Sequence, residues 1–165
     1  MISLIVVGAG KWARECWAPL LAEQRDLFAV RAIVDPRRHA AEALATDLGL
    51  PARAAHVDLA HAVAASPGLD AGVVLTAPER HAEVITALAA HHLHVLTEKP
   101  LATSASEAAA IAAAVEASGV KVAVVQNYRY ETRIQRFRQI LQSGELGPLS
   151  HLVARFAADY RQPDS

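Results

Sequence analysis

A glutamate and a lysine at the end of a hydrophobic run are the residues in this chain best placed to do chemistry. Glu98-Lys99-Pro100 follows His94-Val95-Leu96-Thr97, a run that reads as a strand. Pro100 restricts the Lys99 backbone to extended conformations. The ammonium is therefore held where the strand turns and does not wind into the next helix. In an open parallel α/β sheet, ligands bind in the crevice outside such strand ends. A lysine there can donate a hydrogen bond to an oxygen of a bound molecule or take a proton from it. Whether the Lys99–Pro100 bond is cis is a question that sequence leaves open.

Three further groups stand at the ends of hydrophobic runs. Gly8-x-Gly10-x-x-Ala13 follows the β-branched run Ile2–Val7 and opens a helical segment, the context in which such a motif carries meaning. The first glycine suits a tight turn, the second admits backbone close to a pyrophosphate, and Ala13 permits close helix–strand packing. Lys11 and Trp12 fill the turn and belong to the same candidate cofactor-binding set. The helix start supplies N–H donors and partial positive charge to phosphates. Asp35 ends the run Phe28–Val34, 22 residues after Ala13, where an acid accepts hydrogen bonds from adenosine ribose hydroxyls. The other reading of Asp35-Pro36 is a turn capping the next helix. An acid at this point repels a 2′-phosphate and favours NAD. Arg37 and Arg38 could bind that phosphate bidentately or lie solvated in the first helical turn, so NADP stays possible. Thr76-Ala77-Pro78 ends a fourth strand and is expected to face the nicotinamide half of the cofactor. His81, three residues on, either touches the site or packs at the start of its helix. His91-His92-x-His94 lies where a helix leads into a strand, which reads as a surface turn, and no metal is expected.

The elements that position these residues follow from periodicity. Short apolar runs at Ile2–Val7, Phe28–Val34, 52–55, 71–76, 92–97 and 120–126 alternate with helical stretches at 11–24, 38–48, Leu59–Ala65, 79–91 and 104–118. Ser104 or Ser106 can cap the last helix, and Gly49 and Gly119 stand where helices stop. This β-α alternation predicts an α/β fold, a Rossmann-type doubly wound parallel sheet with helices on both faces. The rhythm changes after Asn127. Residues 131–143 form an amphipathic helix with Ile134, Phe137, Ile140 and Leu141 on one face. Residues 151–160 alternate like a half-buried strand. The expected domains are 1–127, which binds the dinucleotide, and 128–165, a truncated start of a second α/β domain. An unpaired amphipathic strand is an aggregation hazard unless another chain covers it. A homodimer or hetero-complex through residues 131–160 is therefore expected.

Composition narrows the class. The chain has 165 residues, 53% hydrophobic and 20% charged, with a formal net charge of −1. Such a balance calls for neither nucleic acid nor an anionic membrane surface. No stretch approaches the ~20 apolar residues of a membrane span, and the apolar N-terminus is too short for a signal peptide and lacks a basic start. The one cysteine, Cys16, excludes an internal disulfide and fits a reducing cytoplasm; it is expected to be buried and inert early in the first helix. A soluble, cytoplasmic protein is the expectation.

Taken together, Gly8-Ala9-Gly10, Asp35, Thr76-Ala77-Pro78 with His81, Glu98-Lys99-Pro100, Gln126-Asn127-Tyr128-Arg129-Tyr130 and Glu145-Leu146-Gly147-Pro148-Leu149 resemble the Gfo/Idh/MocA family of NAD(P)-dependent oxidoreductases. The resemblance implies a Rossmann domain followed by an α/β domain that supports substrate and often the dimer contact. It implies oxidation or reduction of a hydroxyl or carbonyl group on a sugar, cyclitol or similar small molecule. It implies Lys99 as the catalytic residue, Glu98 near the nicotinamide ribose and Arg129 near the domain junction, with Asn127 and Arg129 among the candidate cofactor-binding residues. Oxidising an alcohol removes a hydride and a proton, so a base or polarising donor is needed at the oxygen. An ammonium close to a cationic nicotinamide and partly out of water is expected to have its pKa lowered from the usual ~10.4. Family members run to roughly twice this length, and most carry an acid and a histidine in the second domain. Asp164 and His151 do not stand in that spacing. The expectation is an enzyme that needs a second chain or a missing half, with a non-catalytic dinucleotide-binding or partner protein as the alternative.

Overall fold

Strand β1, Ile2–Val7, alternates its side chains between two cores. Leu4 and Val6 bury on one face with Ile33 and Val73, against Trp17, Leu21, Leu44 and Leu48. Ile5 and Val7 bury on the other with Val34, Val74 and Val95, against Ile85, Leu88 and Ile111. The period of two sends successive residues to opposite faces, so a strand apolar throughout is one covered by helices on both sides. The computed structural model describes residues 1–155. It divides into two compact units, Met1–Val125 and Gln126–Ser165.

In the first unit the remaining strands are β2 (Phe28–Val34), β3 (Ala55–His56), β4 (Ala71–Val74), β5 (His94–Thr97) and β6 (Val122–Val124). The helices are α1 (Ala18–Glu23), α2 (Arg38–Asp47), α3 (Leu59–Ala65), α4 (His81–Ala90) and α5 (Ala105–Ser118). All six strands are parallel in the order β3-β2-β1-β4-β5-β6. This is the doubly wound Rossmann order, and the chain reverses its direction of winding between β1 and β4, where a crevice opens beyond the strand ends. Backbone bonds extend the ladder past the strands: Gly8 N–H donates to Val34 O and Leu75 N–H to Val7 O, each at 2.8 Å, and Glu98 N–H donates to Val74 O at 3.0 Å. Gly8, Asp35, Thr76 and Glu98 are thereby brought to one edge of the sheet.

Several expectations need correction. Residues 11–24 do not form a single α-helix: Ala13–Trp17 is a widened i→i+5 turn, closed by Ala18 N–H on Ala13 O, which runs into α1. Pro19 explains it, because it has no N–H for the Glu15 carbonyl and its ring would collide with that group in a regular α-turn. Cys16 is exposed. Ala13 and Trp17 take the buried side of the turn, which leaves Cys16 facing solvent. Residues 52–54 form a 3₁₀ turn, so β3 contains only Ala55 and His56. The capping expectations for α5 hold: Ser104 Oγ accepts the Glu107 N–H at 3.2 Å, and Gly119 stands in the left-handed region.

In the second unit, Asn127–Tyr130 is a 3₁₀ turn followed by α6, Thr132–Ser143, which Gly144 ends with a φ of +78°. Ile134 and Phe137 on α6 are 43% and 42% exposed. Residues 151–155 carry no strand pairing, and the rest of the strand expected over 151–160 lies outside the described residues. A strand needs a neighbour to complete its ladder. Among the described residues, no helix is long and apolar enough to cross a membrane.

Candidate functional site

The turn after β1 is shaped by two glycines with different constraints. Gly8 has φ +102°, and a Cβ placed on it would lie 2.6 Å from Leu75 C, 2.7 Å from Leu75 O and 2.7 Å from Thr76 N. The backbone ends of β1 and β4 therefore touch, and only glycine fits between them. A Cβ on Gly10 would meet nothing within 4 Å. The space beside Gly10 is open, as backbone that must approach a ligand requires. Ala13 is fully buried, so the helical segment that follows packs tightly onto the sheet. Lys11 and Trp12 are exposed on the turn.

Asp35 ends β2 with only 4% of its surface exposed. Its Oδ2 accepts the Ala9 N–H at 2.9 Å, which ties the acid to the glycine turn. Oδ1 accepts the Arg37 N–H at 2.9 Å, and the Arg37 guanidinium closes on both oxygens at 3.1 and 3.2 Å. Burial pushes the carboxyl upward. The Arg37 side chain, the two backbone donors and the Arg37 charge outweigh that, so the net shift is below the ordinary carboxylate range. A buried, ionised acceptor thus stands at the second strand end, engaged by a guanidinium that is itself exposed. Arg38 pairs with Glu42 one helical turn on, at 3.6 Å.

A cleft of about 640 Å³ runs along these strand ends, lined among others by Gly8, Gly10, Asp35, Arg37, Thr76 and Ala77. Among the described residues, the buried hydroxyl of Thr76 finds no hydrogen-bond partner. A buried polar atom without a partner is costly unless something completes it. Beyond Gly10 and Arg37 a second depression of about 650 Å³ includes Lys11, Arg14 and His39. Arg14 there is held by Asp47 at 2.6 Å.

The end of β5 carries the remaining groups. Lys99–Pro100 is cis. His81 is wholly buried, with Nδ1 2.7 Å from Pro100 O and Nε2 3.1 Å from Thr76 O. The ring joins the ends of β4 and β5 from beneath, which is the packing reading of this histidine. Pro78 opens the 3₁₀ turn Pro78–Arg80 that leads into α4. Glu98 is half-buried, and its Oε1 accepts N–H bonds from Trp12 at 2.7 Å and Trp17 at 2.9 Å. Trp17 was not foreseen as a site residue, because tryptophans five apart do not share a face of an α-helix. Lys99 is exposed, so the Rossmann unit alone does not supply the burial expected for its ammonium. Asn127 and Arg129 lie on the 3₁₀ turn of the second unit, where the Arg129 guanidinium sits 5.6 Å from the centre of the Tyr130 ring. Among the described residues, no group of three or more His, Cys, Asp or Glu side chains stands together as a metal site.

These features fit a dinucleotide: an open approach at Gly10 after β1, flanked by the buried acid Asp35 at the end of β2 and by the Thr76 hydroxyl at the end of β4. Comparison with known proteins agrees. The family model described as an oxidoreductase family with an NAD-binding Rossmann fold, Gfo/Idh/MocA, matches residues 2–126. A protein of Amycolatopsis mediterranei assigned as a UDP-kanosamine synthase oxidoreductase subunit is 35% identical over 148 residues, covering 90% of this chain and 39% of the relative. D-xylose 1-dehydrogenase (NADP(+)) 2 of Haloferax volcanii is 34% identical over 124 residues, 75% of this chain and 36% of the relative. Among solved structures, an oxidoreductase from Agrobacterium radiobacter in complex with NAD+, L-tartaric acid and magnesium superposes with a TM-score of 0.74 at 25% identity, over 89% of this chain and 42% of that one. The chain spans less than half the length of each of these relatives.

Proposed function

The chain belongs to the Gfo/Idh/MocA oxidoreductase family, and from that premise we propose that it serves NAD(P)-dependent hydride transfer on a hydroxyl or carbonyl of a sugar, cyclitol or similar small molecule, in the cytoplasm. The observation that carries the reading is the joined cradle of Gly8, Gly10 and Asp35, with Ala9 N–H on Asp35 Oδ2 at 2.9 Å. The Gly8–Ala13 turn would hold the pyrophosphate, with Lys11 and Trp12 beside it. Asp35 would hold the adenosine ribose, and Thr76, Ala77 and Pro78 would line the path toward Glu98. A bound nicotinamide supplies the acceptor or donor of hydride. Lys99 then holds the substrate oxygen by hydrogen bond and takes or returns the proton that accompanies the hydride. His81 keeps the Lys99–Pro100 turn in register with Thr76.

NAD is the favoured form. The ionised Asp35 opposes a 2′-phosphate, and the Arg37 guanidinium that could offset this is already engaged by Asp35. The Haloferax relative is named for NADP(+), and the Agrobacterium oxidoreductase structure holds NAD+. Lys99 is exposed in this chain, which favours completion of the site by further protein, in a homodimer or hetero-complex through residues 131–160. Ile134 and Phe137 exposed on α6 support this, as does the description of one relative as a subunit. That same exposure of Lys99 favours a second reading, a non-catalytic dinucleotide-binding partner protein. Hydride transfer, followed by the absorbance of NADH with panels of sugars, cyclitols and nucleotide sugars, separates the two. The chain is assayed alone and with the products of neighbouring genes. Turnover in any combination, lost in Lys99→Ala, supports the enzyme. NADH binding without turnover in every combination supports the partner protein.

A further inference from the structure

Two indoles converge on a single atom. Trp12 and Trp17 both donate to Glu98 Oε1, at 2.7 and 2.9 Å, and they are the chain's only tryptophans. Residues five apart on an α-helix point about 140° away from each other. The wider i→i+5 turn Ala13–Trp17 turns the two side chains toward one another. The irregular turn caused by Pro19 is thus what allows both indoles to reach one carboxylate across 86 and 81 residues of sequence. The other oxygen, Oε2, lies 3.3 Å from the Lys99 backbone N–H. Trp17 is 8% exposed and anchors the arrangement from the core, while Trp12 is 55% exposed.

We infer that Trp12 and Trp17 are positioning residues that act through Glu98, fixing its carboxylate at the end of β5 as an acceptor for a ribose hydroxyl of the bound dinucleotide. The inference rests on the dinucleotide reading above. Two N–H donors fill both lone pairs of Oε1, whereas Oε2, among the described residues, accepts only the Lys99 N–H and keeps one lone pair for a ligand. Its direction is set by the indoles. Without them, Glu98 turns freely about its side-chain bonds, and the neighbouring Lys99 ammonium competes for it. The clamp therefore keeps the acid for the cofactor and the ammonium for the substrate. It also links the phosphate-binding turn directly to the lysine strand end.

The test uses the full chain and two readouts. In a nitrogen–proton correlation spectrum the two indole N–H resonances are expected to move together in Glu98→Ala, and Trp12→Phe is expected to shift the Trp17 resonance. In NADH titrations Trp12→Phe, which keeps an aromatic ring and removes the donor, is expected to weaken binding about tenfold. Glu98→Ala is expected to weaken it at least as much. Glu98→Gln, whose amide oxygen still accepts both N–H groups, is expected to bind at least about threefold more tightly than Glu98→Ala. Trp12 is exposed, so its replacement leaves the core intact even where Trp17→Phe fails to fold. Indole resonances indifferent to Glu98→Ala overturn the clamp. Wild-type NADH affinity in both Trp12→Phe and Glu98→Ala overturns the positioning role while leaving the dinucleotide reading standing. A wild-type chain that binds no NADH overturns the dinucleotide reading and this role with it.

Discussion

Replacing each of the two turn glycines by alanine separates the fold's need for glycine from the ligand's. At Gly8 the added Cβ lies 2.6–2.7 Å from backbone atoms of Leu75 and Thr76, where carbon contacts are comfortable at about 3.5–4.0 Å. Roughly 1 Å of separation must therefore open between the ends of β1 and β4. The bonds at risk are Leu75 N–H to Val7 O and Gly8 N–H to Val34 O, each 2.8 Å and each contributing about 0.5–1.5 kcal/mol. The positive φ adds about 1–2 kcal/mol for a residue with a Cβ. Gly8→Ala should cost about 2–5 kcal/mol, a fall in Tm of about 4–20 °C for a chain of this size. At Gly10 the Cβ meets nothing within 4 Å, and alanine at a compatible position stabilises by about 0.4–1 kcal/mol through the unfolded state. Gly10→Ala should keep or raise the wild-type Tm. It should nevertheless lose NADH affinity by at least about tenfold, because the methyl stands where the pyrophosphate must approach. Thermal melts and NADH fluorescence titrations on both variants test this. A Gly10→Ala chain that binds NADH like the wild type refutes the phosphate assignment. A Gly8→Ala chain that melts with the wild type refutes the strand-end contact.

Asp35→Ala removes the acceptor for Ala9 N–H and the partner of Arg37. NADH should bind at least about tenfold more weakly while NADPH loses less, so the ratio of the two dissociation constants moves toward NADPH; an unchanged ratio speaks against the ribose role. His56, at the end of β3, has its pKa held below the ordinary value by burial first and then by the charges of His61 and Arg38. The unfolded chain takes up the proton more readily than the folded one, so stability is full above about pH 6.5 and declines as pH falls from there toward the folded value. In denaturant titrations between about pH 7 and pH 5, His56→Gln should flatten that decline, and an equal slope in both proteins would remove His56 as its source. Phe137→Glu on the exposed face of α6 should weaken self-association or partner capture by about 30-fold or more. Static light scattering at high concentration reads this, and a wild-type chain that is monomeric throughout removes homodimerisation.

The sheet was legible because its signals are local. Ile2–Val7 and the other apolar runs are long enough to show their strands, and Gly8, Asp35, Thr76 and Glu98 mark the strand ends that the register then aligns. The boundaries were less so: residues 52–54 wind into a 3₁₀ turn and β6 keeps three residues, since ladder partners and not propensity decide where a strand stops. The i→i+5 turn escaped notice because helical spacing was read at the period of a regular helix, although Pro19 was the available sign. Its consequences escaped with it, namely the exposure of Cys16 and the meeting of Trp12 and Trp17 at Glu98. The Arg37 contact was half-visible: both Asp35 and Arg37 were named, but their closing on one another is a matter of side-chain geometry. Burial of His81 and exposure of Lys99 depend on what packs around each residue, which no local pattern encodes.

The claim on which the rest depends is that the crevice beyond β1, β2 and β4 holds a nicotinamide dinucleotide. Equilibrium titration of the purified full chain with NADH, followed by its fluorescence and by energy transfer from Trp12 and Trp17, tests it most directly. Saturable binding at one site per chain, displaced by NAD and weakened in Gly10→Ala and Asp35→Ala, is the result predicted. Absence of saturable binding by a folded chain, or binding that both substitutions leave untouched, would contradict it.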